Sequence, residues 1–208
     1  MKLAPESRPA LSALALLAVL LLITQPVWSL IPMAAAAALA YFFRDPDRSA
    51  PPLQEAILAP ADGRVGRIQT GKSLRVPIHL SLLDVHVNRF PISGRVNRVS
   101  HSPGKFFPAF LGKAVRENEN NLVAVEESGL EVRVRQIAGI LARRIICYCR
   151  EGDRVHRGER LGLIQFGSAV ELELPAEAVE LRVRTGQRVR AGETVMAVIR
   201  RKKSTPLA

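Results

Sequence analysis

The first fifth of the chain and the rest of it carry different patterns. From Ala10 to Phe43 there is no charged residue, and Gln25 is the most polar side chain. As one straight helix this segment would be roughly 50 Å long at ~1.5 Å per residue, well beyond a hydrocarbon core of ~30 Å. Gln25-Pro26 and Pro32 lie near its middle, where an interior proline breaks or kinks a helix. The pattern predicts two short apolar helices, about 10–24 and 27–43, folded as a hairpin. A single tilted span with a break is the rival reading. A cleaved signal peptide fits less well, because the apolar stretch is too long for a simple h-region.

From Ile57 onward the period changes to that of short strands separated by glycines. Strands are expected at 57–59, 64–69, 76–82, 94–99, 122–125, 131–137 and 145–149. Alternation is clearest in 130–137 and 179–183. Only 106–113 offers a helical turn. An internal repeat organises the last third: Gly152-x-x-Val155-x-x-Gly158-Glu159 returns as Gly186-x-x-Val189-x-x-Gly192-Glu193, 34 residues later. Turn glycines around a core valine, followed by an apolar strand, are the pattern of biotinyl/lipoyl-like sandwiches. The expected fold is therefore mainly β, a barrel-sandwich domain at 44–208 behind a hydrophobic helical anchor at 1–43.

Charge narrows the partners. The net charge is +11, most of it in the β part, yet aromatic residues make up only 5% of the chain and the basic residues are scattered through strands. With an apolar anchor present, an anionic bilayer is the more economical partner than nucleic acid, since each basic group near such a surface gains about 1 kcal/mol. Lys2 and Arg8 precede the apolar segment, and Arg44 and Arg48 follow it. Both ends then favour the cytoplasmic side of a cell membrane. Cys147 and Cys149 share one face of a strand, a poor geometry for a mutual disulfide, and read as buried reduced thiols. No metal site is expected.

Gly167-Ser168 is the only Gly-Ser dipeptide in the chain, and it follows the apolar run 161–166. A serine hydroxyl there can attack the preceding carbonyl, convert the amide to an ester, and lose it by β-elimination. Hydrolysis of the resulting dehydroalanine leaves a pyruvoyl group at a new N-terminus. A turn is the commoner role for such a pair, so its context matters. Ala59-Pro60-Ala61-Asp62-Gly63, Leu83-Asp84-Val85-His86-Val87-Asn88-Arg89, Tyr41–Arg48, Gln136–Gly139 and Ala142–Ile145 accompany it along the chain. Together these segments resemble the short form of the phosphatidylserine decarboxylase family, including its archaetidylserine relatives, from about Tyr41 to Ile199.

The resemblance implies a proenzyme that cleaves itself between Gly167 and Ser168. The products would be a β chain, 1–167, and an α chain, 168–208, carrying a self-made pyruvoyl cofactor from Ser168. Because the glycine repeat straddles the bond, the two chains would interdigitate in one fold. The resemblance also implies His86 as the base and Asp62 as the carboxylate that orients it, the logic of a serine–histidine–aspartate triad. Arg89, Arg143 and Arg144 are candidates for the lipid phosphate. The chain departs from long-form members, which carry a second histidine where Arg89 stands and Leu-Gly-Ser-Thr where Phe166-Gly167-Ser168-Ala169 stands. The implied reaction turns a serine phospholipid into its ethanolamine counterpart and CO2. Oligomeric state, and diacyl against archaeal ether lipid, are left open. The rival of another class is a membrane-anchored adaptor on a lipoyl-like sandwich, which would leave Ser168, His86 and Asp62 without a purpose. A biotin or lipoyl carrier would need a lysine at a hairpin tip, and neither repeat has one.

Overall fold

The computed structural model describes residues 2–107, 117–139, 144–165 and 169–200. The helical turn expected at 106–113 falls mostly outside them, as do Arg143 and the Gly167-Ser168 bond. The N-terminal segment opens with strand β1 (Lys2–Leu3), followed by helices α1 (Arg8–Thr24) and α2 (Leu30–Phe42), and closes with β2 (Arg44–Asp45). A 3₁₀ turn, Pro26–Ser29, separates the two helices after Gln25 leaves helical dihedrals. The break therefore comes at Gln25-Pro26 alone. Pro32 lies in the first turn of α2, where its missing N–H has no intrahelical partner to lose.

The two ends of the segment meet. β1 pairs antiparallel with β2, and the Ala4 N–H donates to the Phe43 carbonyl at 2.9 Å. The helices form a hairpin, and no residue of α1 is buried. Leu16, Leu20, Ile23, Val27, Trp28, Leu30 and Ile31 are exposed. Among the described residues one helix, Pro5–Thr24, is long and apolar enough to cross a membrane, and Pro26–Phe42 is a shorter apolar companion.

The β domain contains β3 (Ala56–Leu58), β4 (Gly63–Val65), β5 (Ser73–His79), β6 (Val87–Arg89), β7 (Gly94–Ser102), β8 (Asn120–Glu127), β9 (Leu130–Ile137) and β10 (Ile145–Cys147). It continues with β11 (Arg154–Val155), β12 (Arg160–Ile164), β13 (Ala169–Pro175), β14 (Val179–Leu181), β15 (Arg188–Val189) and β16 (Val195–Ile199). An eight-stranded sheet in the order β11-β7-β8-β9-β13-β5-β4-β15 curls into a half-barrel. Two three-stranded sheets, β10-β12-β6 and β14-β16-β3, complete the domain. Ile57, Ile78, Phe90, Leu161, Leu172 and Met196 are fully buried in its core. The chain is thus mainly β behind an apolar helical N-terminus, as its pattern implies. The narrower biotinyl/lipoyl-like assignment does not follow from these sheets.

The glycine repeat has a structural counterpart. Val155 of β11 faces Gly94 of β7, and Val189 of β15 faces Gly63 of β4. Gly63 and Gly94 sit at φ 150° and 151°, and a Cβ on either would lie 2.3 Å from a carbonyl oxygen of the neighbouring strand. Each half therefore joins a Gly-Arg-Val segment (63–65 or 94–96) to one copy of the downstream repeat. Each half also clamps its turn with a side chain just before the glycine. Asp62 Oδ1 accepts the Ala191 N–H at 2.7 Å, and Ser93 Oγ accepts the Arg157 N–H at 3.0 Å.

Candidate active site

Ser81 and Asp84 close a tight turn ahead of β6. The Asp84 carboxylate accepts the Ser81 N–H at 2.8 Å and its hydroxyl at 2.7 Å, and the Asp84 N–H returns to the Ser81 carbonyl. Arg188 adds a 2.9 Å ion pair from the far end of the eight-stranded sheet. Burial opposes ionisation of Asp84, but these hydrogen bonds outweigh it and hold its carboxyl below the ordinary value.

The turn aims the Asp84 carbonyl at His86, whose Nδ1 lies 2.9 Å away. A carbonyl can only accept, so the neutral imidazole carries its proton on Nδ1 and Nε2 is the basic nitrogen. His86 is fully buried. Burial pushes its pKa down to about 4, helped by Arg44 and opposed by the Asp84 carbonyl and charge. Phe42, from the last turn of α2, tilts against the ring with centroids 4.2 Å apart. Phe42, Phe43, Ala4, Val85, Val87 and Leu163 form a separate apolar cluster at this point. The root of the helical hairpin therefore covers the histidine.

β6 pairs with β12, and the Ile164 N–H meets the His86 carbonyl at 3.4 Å. The chain leaving β12 passes through Gln165, whose N–H donates to the Arg144 carbonyl, and is next described at Ala169, the head of β13. Ala169 lies between Ile137 and His79 in the middle of the large sheet. The described residues on either side of Gly167-Ser168 thus belong to the strand paired with β6 and to the middle of the large sheet. A buried amide chain leads to β6: Asn121 donates to Gln136, which donates to Asn88 Oδ1 at 2.9 Å. Asn88 Nδ2 is buried without a hydrogen-bond partner among the described residues.

The remaining expected site residues are engaged by other partners. Asp62 Oδ2 is paired with Arg48 at 2.8 Å, and its other oxygen with Ala191. Burial raises its pKa, opposed by those two partners. In place of the hydrogen bond expected between Asp62 and His86, the His86 Nδ1–H donates to the carbonyl of Asp84, which is two residues away and already aimed by the turn. Arg89 is buried and committed to Asp45 at 2.7 Å, with further bonds to the Pro46 and Gly158 carbonyls. That arrangement makes it a clasp on the linker, and an unsuitable phosphate ligand. Arg144 is exposed.

The sequence pattern alone does not mark Asp84, Phe42, Arg48 or Arg188 as site residues. Ser81-x-x-Asp84 is a readable turn signal. A second one is the upstream pair Gly63-Arg64-Val65 and Gly94-Arg95-Val96, 31 residues apart. Among the described residues no group of three or more His, Cys, Asp or Glu side chains could hold a metal ion.

Residues 35–197 match the family described as phosphatidylserine decarboxylase. The chain belongs to that family. It is 44% identical over 184 residues to the phosphatidylserine decarboxylase proenzyme of Pelodictyon phaeoclathratiforme, covering 83% of this chain and 86% of that one. The proenzyme of Syntrophus aciditrophicus is 42% identical, with 80% and 82% covered, and that of Ruegeria pomeroyi 41%, with 93% of each covered. By family the protein is a decarboxylase, a carboxy-lyase.

Proposed function

We propose that this phosphatidylserine decarboxylase family member is a self-processing, pyruvoyl-dependent enzyme. It would convert membrane phosphatidylserine to phosphatidylethanolamine and CO2 in phospholipid biosynthesis. The observation that carries the reading is His86, buried with its Nδ1–H committed to the Asp84 carbonyl, next to the strand that pairs with the lead-in to Gly167-Ser168. The names of the bacterial relatives favour the diacyl lipid, and the word proenzyme favours cleavage into β chain 1–167 and α chain 168–208.

In maturation, His86 Nε2 takes the proton of the Ser168 hydroxyl as that oxygen attacks the Gly167 carbonyl. The Asp84 carbonyl and charge steady the imidazolium that forms. Phe42 and its cluster keep water off the ring, so the ester partitions to elimination. Asp62 is a positioning residue here, holding the Ala191 turn and Arg48 in place. The pyruvoyl group would supply the electron sink for loss of the carboxylate. The residues present suit such a group, because a ketoamide needs donors and Asn88 Nδ2 is a buried donor left unpaired among the described residues. Arg143 and Arg144 are the remaining phosphate candidates. The hairpin anchors the enzyme, with the β domain on the cytoplasmic side.

A denaturing gel with mass spectrometry tests this reading. The wild type should give two fragments, the smaller beginning with a pyruvoyl group at position 168, and Ser168→Ala should remain intact and inactive. Intact, active wild-type chain, or normal fragments from Ser168→Ala, would overturn it.

A further inference from the structure

We propose that the Leu82-Leu83 loop tip is a second membrane contact, inserted into the acyl-chain boundary of the bilayer beside His86. The proposal rests on the reading of the helical hairpin as a membrane anchor. Turn tips in water favour Gly, Pro, Asn, Asp and Ser. Here the turn closed by Ser81 and Asp84 presents two leucines outward, with Leu82 49% and Leu83 68% exposed. The closure depends on polar groups at both bases of the turn, so the leucines are not required for the turn to form.

What covers them follows from where the tip is held. Arg44, immediately after Phe43 at the end of α2, donates to the Tyr41 carbonyl at 2.8 Å and to the Leu83 carbonyl at 2.5 Å, and its guanidinium lies 4.0 Å from the Tyr41 ring centroid. One side chain therefore joins the last turn of α2 to the loop tip. If α2 is in the bilayer, its C-terminal end marks the interface, and Leu83 is at the same end. Tyr41, 49% exposed, supplies the aromatic side chain such a level favours. Arg44 and the exposed Arg188 supply cationic groups that suit lipid phosphates. The apolar surface of the hairpin thus continues through Arg44 onto the loop, and its occupant is the lipid bilayer. Since Asp84 and His86 follow the tip directly, insertion of the tip would hold this end of the β domain against the bilayer surface.

Trp28 is the only tryptophan in the chain, which makes the test direct. The full-length protein is reconstituted in phosphatidylcholine–phosphatidylglycerol vesicles with or without phosphatidylcholine carrying a nitroxide high on its acyl chain. Trp28 in the unmodified protein reports the hairpin. A Leu83→Trp substitution in a Trp28→Phe background reports the loop, and Leu82→Trp in the same background is a second reporter. The expected result is nitroxide quenching of Trp28 and of at least one loop reporter, with the loop emission shifted to the blue on reconstitution. Quenching of Trp28 with unquenched loop emission would overturn the loop contact and leave the anchor standing. A loop shielded from aqueous iodide yet untouched by nitroxide would also overturn the contact, because a second protein copy would then cover it. Failure to quench any of the three would overturn the anchor and the loop contact together.

Discussion

Acid should weaken this fold through His86 in a window that can be named. The unfolded chain binds a proton on histidine near pH 6.5, whereas the folded protein holds the neutral ring down to about pH 4. Above 6.5 both states are neutral at this site and the full stability is present. As pH falls through the window the unfolded state alone gains a proton, so stability drops by up to about 1.4 kcal/mol per pH unit and levels off below the folded value. His86 should therefore remove about 2 kcal/mol between pH 7 and pH 5, and roughly 3 kcal/mol by pH 4.

The assay is the denaturant midpoint of the full chain in detergent micelles across that range. It compares Ser168→Ala with Ser168→Ala/His86→Gln, so that both proteins remain uncleaved. Other titrating groups, including His79, which burial also holds down, are present in both and cancel in the difference. The protein that retains His86 should lose stability more steeply below pH 6.5, and the gap between the curves should change by the amount above. A gap constant from pH 7 to 4.5 would refute the buried neutral imidazole, and with it the assignment of its tautomer.

Two further outcomes are expected. Arg48→Ala strips the ion pair from Asp62 in a site where the two side chains are 8% and 12% exposed, and should destabilise the chain by about 3 kcal/mol in the same unfolding assay. Adding Asp62→Asn should restore part of that, and no restoration would mean that the Arg48 loss is not one of uncompensated charge. Cys147 and Cys149 bring their sulfurs to 3.4 Å, and the hydrogen bond from Cys149 holds the Cys147 thiol below the ordinary thiol value. Maleimide labelling of Cys147 should therefore rise at a lower pH than that of a free thiol, and Cys149→Ala should move that rise upward. Identical profiles for the two proteins would refute the thiol–thiol hydrogen bond.

The helices and strands are legible where one local rule suffices. The uncharged run to Phe43 and the Gln25-Pro26 break predict the hairpin, and the glycine repeat marks two turns that the structure pairs with Gly63 and Gly94. Strand ends are less legible: the run expected at 64–69 stops at Val65, and that expected at 76–82 begins at Ser73 and ends at His79. The alternation Val170-Glu171-Leu172-Glu173-Leu174 is a strand pattern and underlies β13, which joins β5 to β9; what that pattern does not foretell is that Glu171, on its polar side, is buried. The candidate site shows the same division. His86 is visible as a residue, but its orienting partner is a backbone carbonyl, and a carbonyl has no sequence identity. Asp62 resembles a triad carboxylate in sequence. Its partners, Arg48 and the Ala191 amide, are brought to it only by the closure of the sheet. Arg89 reads as a free cation until Asp45 is seen beside it.

The residues between hairpin and β domain are fastened along their length. Arg89 grips Asp45 and Pro46, Arg48 grips Asp62 and Glu193, and Arg157 donates to the carbonyls of Pro51, Leu53, Gln54 and Ala56. A loose leash would let a catalytic domain swing through a hemisphere above its attachment point and meet the surface at any angle. On the proposed reading of the hairpin as a membrane anchor, a bracket of this kind would remove the swing and leave only drift and rotation in the plane. The reactive centre would then travel at one fixed height, and its encounters with lipid would become a two-dimensional search in which orientation is settled as the chain folds. Lengthening the bracket by a few flexible residues would return that orientation to chance while leaving every side chain of the site in place.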